Sequence, residues 1–408
     1  VVDDEKIKRV TLADDLATQG HDVVTAEDGE QALERLQAGP FDVVVTDLKM
    51  PGLDGLADVR RMWTAQVGTG FSAFAVADGH AVTAGWSDDT TTVTCFDAES
   101  GAVTWTHAYP CTLQPKWGAI GAPTILADAV YVLGKEGQLF CLDLDSGHVR
   151  WQRDLATDHA VSPQRWGFSC APTPHQGTLL LNAGDAGMAV DARTGETIWA
   201  SEGSGASYAT VTVTHLPQGP RALIFTAAGL KAVDPATGTV DWLVPWTTKH
   251  DINASAPQRS GDRLFISSGY GTGAGIVDLA GGHPELVWTA TAPQTQMAGG
   301  VLIDGHLYAV DAHRGKPGRL VCVAIADGAT RWAADGFGQG SLIAAGDRLL
   351  VLTGDGELVL AKADPTSYEE LGRTRVLDGT CWTPPALSGD RLYVRNQSGA
   401  CAAWRLTP

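Results

Sequence analysis

Short apolar runs recur along most of the chain, separated by turn-forming Gly, Asp, Ser and Thr. From Trp63 onward these runs are about the length of single strands, and clusters of turn residues bound them. Residues 1–58 differ, because helical and strand-like apolar patterns alternate there: Val1-Val2, Ile7 to Gly20, Val23-Val24, Glu30 to Leu36 and Phe41 to Val45. This alternation predicts βαβ units with a parallel sheet in the first segment, and hairpins of antiparallel strands in the rest.

A nine-residue motif, Asp-x-x-Ser/Thr-Gly-x-x-x-Trp, repeats in the second segment. The four full copies are Asp97 to Trp105, Asp143 to Trp151, Asp191 to Trp199 and Asp234 to Trp242, and two degenerate copies end at Trp288 and Trp332. The spacing between successive tryptophans fits the blade of a β-propeller and not a helical solenoid. Asp and Ser/Thr cap a turn and Gly supplies a positive φ. We expect the Trp on the outer strand to pack back across its own blade.

A second marker counts the blades. A turn pair precedes an apolar strand eight times: Asp78-Gly79, Asp128-Ala129, Gln176-Gly177, Gln218-Gly219, Gly261-Asp262, Asp304-Gly305, Gly346-Asp347 and Gly389-Asp390. The last blade ends after Leu406 without an outer strand, and the segment beginning at Trp63 can supply one and close the ring. The predicted fold is mainly β: an eight-bladed propeller of four-stranded antiparallel blades over residues 61–408, with a small α/β segment over 1–58.

The repeat resembles the PQQ-like repeat family, which includes the propeller lipoprotein of bacterial outer-membrane assembly. The resemblance covers the chain from about Met62 and implies the propeller fold. It implies little about activity, because the repeated residues are structural.

The first segment resembles the receiver domain of bacterial response regulators through three blocks in the family's order: VVDDE, TAEDGEQAL and DVVVTDLKMPGLDG. Three carboxylates at the ends of parallel strands suit Mg²⁺. The resemblance implies that Asp47 accepts the phosphoryl group, that Asp3 and Asp4 hold the metal with Asp47, and that the Lys49 carbonyl is a further ligand. It stops near Gly55, before the Ser/Thr and the Lys that the family needs. We therefore interpret residues 1–58 as a truncated receiver that no longer accepts phosphate.

Net charge and hydropathy limit the kinds of partner that we expect for this chain. The formal net charge of −18 repels phosphate backbones and anionic lipids, which argues against nucleic acid and membrane surfaces as partners. No apolar run is long enough to span a bilayer, and Val1 to Glu5 do not look like a signal peptide. We expect a monomer in the cytoplasm. A periplasmic or exported location is the alternative, since propellers of this family are often exported.

The positions of the cysteines bear on whether the chain is an enzyme. The chain has seven cysteines, none adjacent to another, and we assign Cys95, Cys141, Cys322 and Cys401 to one small, buried strand position of the repeat. Resemblance to quinoprotein dehydrogenases would imply PQQ held between a Trp and a disulfide of adjacent cysteines, with calcium. The missing Cys pair argues against PQQ catalysis. The glycine-rich segment 269–275 is interpreted as a hairpin turn and not as a phosphate loop.

The remaining candidates are large side chains that open the innermost strands and face the channel mouth. They are Trp117, Arg165, Trp166, Phe168, Tyr208, His250, Asn253 and Trp382. Aromatic and Arg side chains in a concave surface are typical of interaction hot spots. The alternative is that Trp117 and Trp166 share one repeat position and plug the channel. The sequence thus predicts a non-catalytic scaffold that binds a protein or peptide and is linked to two-component signalling. A PQQ-dependent oxidoreductase and an output module switched at Asp47 are the alternatives.

Overall fold

A computed structural model describes residues 59–113, 117–312 and 317–406, together with residues 13, 17, 23–26 and 35. In this part of the chain, 32 strands form eight four-stranded antiparallel sheets. The predicted eight-bladed propeller is confirmed. Ala13, Ala17 and Arg35 are helical, inside the two helices predicted for the first segment, whereas the predicted strand residues Val23 and Val24 belong to no strand.

Blades 1 to 7 each take four strands in chain order from the centre outward, and the first strands of several neighbouring blades contact each other. Blades 1 to 4 are β2(Ala75–Ala77), β3(His80–Ser87), β4(Thr90–Asp97), β5(Val103–Pro110); β6(Thr124–Leu126), β7(Ala129–Leu133), β8(Gln138–Asp143), β9(Val149–Asp154); β10(Thr173–His175), β11(Thr178–Leu181), β12(Met188–Asp191), β13(Thr197–Ala200); and β14(Thr212–Leu216), β15(Gly219–Thr226), β16(Gly229–Val233), β17(Val240–Pro245).

Blades 5 to 7 continue the order, and blade 8 joins the last three strands to the first. They are β18(Gln258–Ser260), β19(Arg263–Ser268), β20(Gly273–Asp278), β21(Glu285–Ala290); β22(Val301–Ile303), β23(His306–Asp311), β24(Arg319–Ala324), β25(Thr330–Asp335); β26(Ser341–Ala345), β27(Arg348–Leu352), β28(Glu357–Lys362), β29(Glu370–Arg375); and β30(Ala386–Ser388), β31(Arg391–Arg395), β32(Ala400–Leu406), β1(Val59–Gln66). A short helix, α1(Leu155–His159), follows blade 2, and the Asp154 side chain caps it by accepting from the Thr157 backbone N–H.

The ring closes as the sequence predicts. Strand β1 pairs antiparallel with β32, and Trp63 lies opposite Ala403 on the outermost strand of blade 8. The first hairpin of every blade is present, although two turns lie one residue earlier than predicted, at Ala127-Asp128 and Pro217-Gln218. Segment 269–272 is a hairpin turn between β19 and β20.

The repeated tryptophan packs between blades, which corrects the expectation that it packs across its own blade. Trp105 on β5 of blade 1 donates its indole Nε1–H to the Leu144 carbonyl in blade 2, at 2.7 Å. Its ring lies against Gly147 in the same turn, where a Cβ atom would come within 2.6 Å of two ring carbons. The Gly147 φ of +70° also favours glycine. The motif therefore links each blade to the next.

Comparable docking recurs around the ring. Indole N–H groups donate to carbonyls of the next blade from Trp63 (to Ala98), Trp151 (to Ala192), Trp199 (to Pro235) and Trp332 (to Asp364). A turn glycine lies on the ring of Trp63, Trp151, Trp199 and Trp288; the glycines are Gly101, Gly195, Gly238 and Gly328. Because glycine has no Cβ atom, the face of the indole ring can contact the backbone of the turn directly.

The junction of blades 8 and 1 has an additional link. Arg395 on β31 is 1% exposed and donates to the Ser72 carbonyl, the Thr83 hydroxyl and the Ala84 carbonyl of blade 1, at 3.1, 3.1 and 2.5 Å. Burial lowers the pKa of this guanidinium. The carbonyl dipoles offset part of the cost of burying the cation. Tyr393 donates to the Ala98 carbonyl that also receives the Trp63 N–H.

All seven cysteines are buried and free. Cys95, Cys141 and Cys322 lie opposite the repeated tryptophans, as the shared repeat position requires. Cys401 does not. It pairs with Ala65, and Ala403 is the residue opposite Trp63. Ala403 also pairs with Tyr393 on β31, as Cys141 pairs with Tyr131, so Ala403 and not Cys401 occupies this repeat position in blade 8.

Replacing a docked glycine should weaken the contact between two blades. We expect Gly147→Ala to lower the free energy of unfolding by about 1–3 kcal/mol more than Gly79→Ala, because overpacking against Trp105 adds to the cost of a positive φ. Gly79 is a matched control, since its φ is +78° and no atom lies within 4 Å of an added Cβ. Urea denaturation followed by circular dichroism measures the difference. Equal losses in the two variants would contradict the docking interpretation.

Candidate functional site

The candidate site is built from the connections that lead into the first strand of each blade. Because the strands of a blade are antiparallel, these connections and the turns between second and third strands lie at the same end of the propeller. We call this end the mouth face. Half-exposed aromatic rings occur on it in two groups.

Three rings from three neighbouring blades form the first group. Phe71 stacks on Trp382 with ring centroids 5.5 Å apart and an interplanar angle of 9°. Trp117 also contacts Phe71, with ring centroids 6.4 Å apart and an interplanar angle of 34°. Both tryptophans are half-buried, whereas Phe71 is buried. The stack spans blades 8, 1 and 2, so its rings hold one another in place and leave tryptophan surface to solvent.

The second group lies on blades 3 and 4. The exposed Arg165 guanidinium lies 5.2 Å from the centroid of the Trp166 ring, at cation–π distance. Trp166 contacts Tyr208 at a centroid distance of 5.9 Å, and its backbone N–H donates to the Tyr208 hydroxyl. Burial raises the pKa of Tyr208 to about 12, so the hydroxyl keeps its proton at neutral pH.

His250 extends the aromatic surface to blade 5. It is exposed and meets the Tyr270 ring edge-on, at 5.5 Å and 87°. Tyr270 lies in the 269–272 turn and adopts a φ of +58°. Such a backbone is uncommon for a tyrosine and holds its ring beside His250.

Two predicted site residues are core residues, and the prediction was wrong for them. Phe168 is fully buried in an apolar cluster with Trp151, Leu155 and Leu179. Asn253 is also fully buried, where its amide donates to the Thr226 and Trp246 carbonyls and its carbonyl oxygen accepts from Ser268. Both lie next to mouth-facing residues in sequence, but their side chains turn inward.

Sequence reasoning missed Phe71 and Tyr270. A signal for Phe71 was present: it stands four residues before the first strand of its blade, as Tyr208 and Trp382 do. Trp117 and Trp166 each stand seven residues before theirs, which agrees with their shared repeat position. Nothing in the sequence singles out Tyr270, because its place depends on the conformation of the turn.

The predicted phosphoacceptor and metal residues Asp3, Asp4 and Asp47 lie outside the described residues. Among the residues that the structure does describe, no three His, Cys, Asp or Glu side chains come together in a way suited to a metal ion. The mouth face has three buried thiols, those of Cys111, Cys170 and Cys381, and they belong to different blades.

No helix in the described ranges has the length and apolar character needed to cross a bilayer.

Solved structures with the same fold include two bacterial proteins. BamB from Moraxella catarrhalis superimposes with a TM-score of 0.63, covering 86% of this chain and 98% of that chain at 16% identity. Quinohemoprotein alcohol dehydrogenase from Comamonas testosteroni superimposes with a TM-score of 0.65, covering 88% of this chain and 78% of that chain at 15% identity. At these identities the likeness shows the fold alone.

Curated relatives match over a short segment. The gliding motility regulatory protein of Myxococcus xanthus is 40% identical over 62 residues, which is 15% of this chain and 8% of that protein. The sensor histidine kinase RcsC of Escherichia coli is 43% identical over 68 residues, 17% of this chain and 7% of that protein. The chain thus spans less than a tenth of the length of these relatives.

Two family models match the chain, in overlapping ranges. The response regulator receiver domain matches residues 1–84, which include strands β1 and β2 of the propeller and part of β3. A receiver region is thus fused to the propeller. The outer membrane protein assembly factor BamB model matches residues 89–334, more than half of the chain. With this match and the eight blades of the repeat, the chain belongs to the BamB family of PQQ-like propellers.

Proposed function

We propose that the propeller is a non-catalytic scaffold that binds a protein or peptide on its mouth face. The observation that carries this proposal is the pair of preorganised aromatic groups, Trp382–Phe71–Trp117 and Arg165–Trp166–Tyr208, which cover five neighbouring blades. Trp, Tyr and Arg dominate binding energy at protein interfaces, and rings already held in place lose little entropy on binding.

The mixed character of the face suits a polypeptide. Half-exposed indoles offer apolar surface, while the Arg165 guanidinium and the Tyr208 hydroxyl offer polar contacts nearby. A peptide presents both apolar side chains and backbone carbonyls, and so can use both kinds of contact. Arg165 further favours a partner that presents a carboxylate or a carbonyl at this position.

A PQQ-dependent oxidoreductase is a weaker alternative. The solved quinohemoprotein shares the fold, but the sequence has no adjacent cysteines and the mouth-face thiols lie in separate blades. Burial raises the pKa of Cys170 to about 11 and that of Cys381 to about 12, so both thiols are protonated and poorly reactive at neutral pH.

The receiver match favours a second function, a signalling output module switched at Asp47. In that case a phosphoryl group on Asp47 would change the affinity of the propeller for its partner. The missing Ser/Thr and Lys of the receiver pattern argue that such a group would lack two stabilising contacts. Intact-mass measurement after incubation with acetyl phosphate and Mg²⁺ distinguishes the two functions. We propose that the protein acts in the cytoplasm, because a receiver region is typical of cytoplasmic signalling proteins, with the periplasm as the alternative. We also propose that it is a monomer.

The tryptophans of the mouth face should contribute little to stability if they form a binding surface. We expect Trp166→Ala and Trp382→Ala each to lower the free energy of unfolding by less than about 2 kcal/mol, because part of each ring already faces water. Phe168→Ala, which empties a fully buried site, should cost about 3–5 kcal/mol. Urea denaturation of the three variants measures this. Losses as large as that of Phe168→Ala would show that the tryptophans plug the channel.

Binding itself is tested by panning a random peptide library on the wild-type protein, with counter-selection on the Trp166→Ala, Trp382→Ala double variant. Calorimetry on the selected peptides should show an affinity roughly thirtyfold weaker for the double variant, the effect of losing a hot spot of about 2 kcal/mol. Val149→Ala on the outer wall is the control and should leave the affinity unchanged. Failure to select a peptide, an unchanged affinity in the double variant, or micromolar binding of PQQ with Ca²⁺ would contradict the proposal.

A further inference from the structure

Trp242 is the exception among the seven repeated tryptophans of the described chain. Each of the other six either donates its indole N–H to the next blade or has a turn glycine on its ring. Trp242 has neither, although it lies opposite Ala232 at the same repeat position. The glycines of the facing turn, Gly281 and Gly282, have no atom within 4 Å of an added Cβ.

A longer turn in blade 5 explains the exception. Eight positions separate Asp234 from Trp242, as in the other full motifs, whereas ten separate Asp278 from Trp288. The carbonyl that would receive the Trp242 N–H belongs to Leu279, and it accepts from the Gly282 N–H within its own turn at 3.2 Å. The two additional residues therefore lead the backbone away from the indole.

A cavity of about 340 Å³ lies at this place, and we call it the rim cavity. Trp242, Leu216, Leu279 and Pro284 give it apolar walls, and the ion pair of Arg221 with Asp241 lies beside them. This volume is within the range of cavities that bind ligands. Since the two charges neutralise each other, the rim cavity does not select strongly for a charged ligand.

The outer strands of the two blades that bound the rim cavity also expose apolar side chains. Val240 and Leu243 on β17 are both 41% exposed, and Leu286 and Val287 on β21 are 37% and 47% exposed. These four are among ten large apolar side chains that are exposed in the described chain, although none of them lines the cavity itself. Trp242 and Leu279 pack against the buried cluster between blades 4 and 5, so the rim cavity is continuous with the interblade interface.

We propose that the rim cavity is a second polypeptide-binding site, in which Trp242 receives a glycine-bearing turn of a partner protein. The propeller itself shows this chemistry. At the Trp105, Trp151 and Trp199 positions, a turn places a glycine on the indole and a carbonyl at Nε1. A turn supplied by another chain makes both contacts with Trp242, and its flanking side chains pack on Leu216, Leu279 and Pro284. This site is separate from the mouth face.

The probe for this proposal is a cyclic peptide with the sequence of residues 191–196, Asp-Ala-Arg-Thr-Gly-Glu, which docks on Trp151 within the chain. Titration into ¹⁵N-labelled full-length protein should shift the Trp242 indole N–H resonance, assigned from Trp242→Phe, and leave that of Trp105 unchanged. A peptide with alanine in place of the glycine should bind about tenfold more weakly. The variant Trp242→Ala should not bind the peptide.

A graft provides the matched control. Replacing residues 279–287 with the segment 144–150 restores the eight-position spacing and places a glycine turn on Trp242 within the chain. The grafted protein should melt at a higher temperature and lose the peptide. Equal binding of the glycine and alanine peptides, or no shift of the Trp242 resonance, would overturn the proposal. Concentration-dependent dimerisation that Trp242→Ala abolishes would also overturn it, because the occupant would then be a second copy of this chain.

Discussion

The contact between an outer-strand tryptophan and a glycine turn of the next blade is the interaction on which this ring depends. It joins elements from separate sheets, which have no backbone ladder between them. Where the contact is complete, the indole combines buried apolar surface with one hydrogen bond, as Trp105 does with Gly147 and the Leu144 carbonyl. These contacts fix the position of each blade relative to the next. As a result, mouth-face residues of different blades come within contact distance.

The places where the contact is absent also have a structural reason. Between blades 7 and 8 the outer strand β29 carries Gly372 opposite Leu360, where other blades have Trp. Blade 8 has no turn to receive an indole, because its third and fourth strands, β32 and β1, come from opposite ends of the propeller segment. Between blades 4 and 5 the indole is present and the turn is too long. That junction is left with an open cavity, while the mouth face keeps its aromatic groups.

The sequence predicts most of the fold because its information is periodic. The Trp spacing, the eight turns and the position of Trp63 determine the blade number and the closing strand. The repeat spacing does not show which blade the Trp side chain packs against, because a motif within one blade carries no information about its neighbours.

The site residues were predicted less well than the fold. Trp166 and Phe168 are both aromatic and two residues apart, yet one faces outward and the other inward. Gly167 between them has a positive φ, and the Phe168 backbone N–H donates to the Lys135 carbonyl. The polar side chain of Asn253 makes its hydrogen bonds inside the protein, and the residue type alone does not show this.

Thermal melts of two truncated chains test the closed ring most directly. A chain that begins at Ala57 retains β1, Trp63 and the contact of Trp63 with Gly101. It should therefore melt at the same temperature as the full 408-residue chain. A chain that begins at Phe71 loses β1 and leaves β32 with an unpaired edge, so it should melt at a much lower temperature or aggregate. Equal melting temperatures for the two truncated chains would contradict the account, because the ring would then be closed without its N-terminal strand.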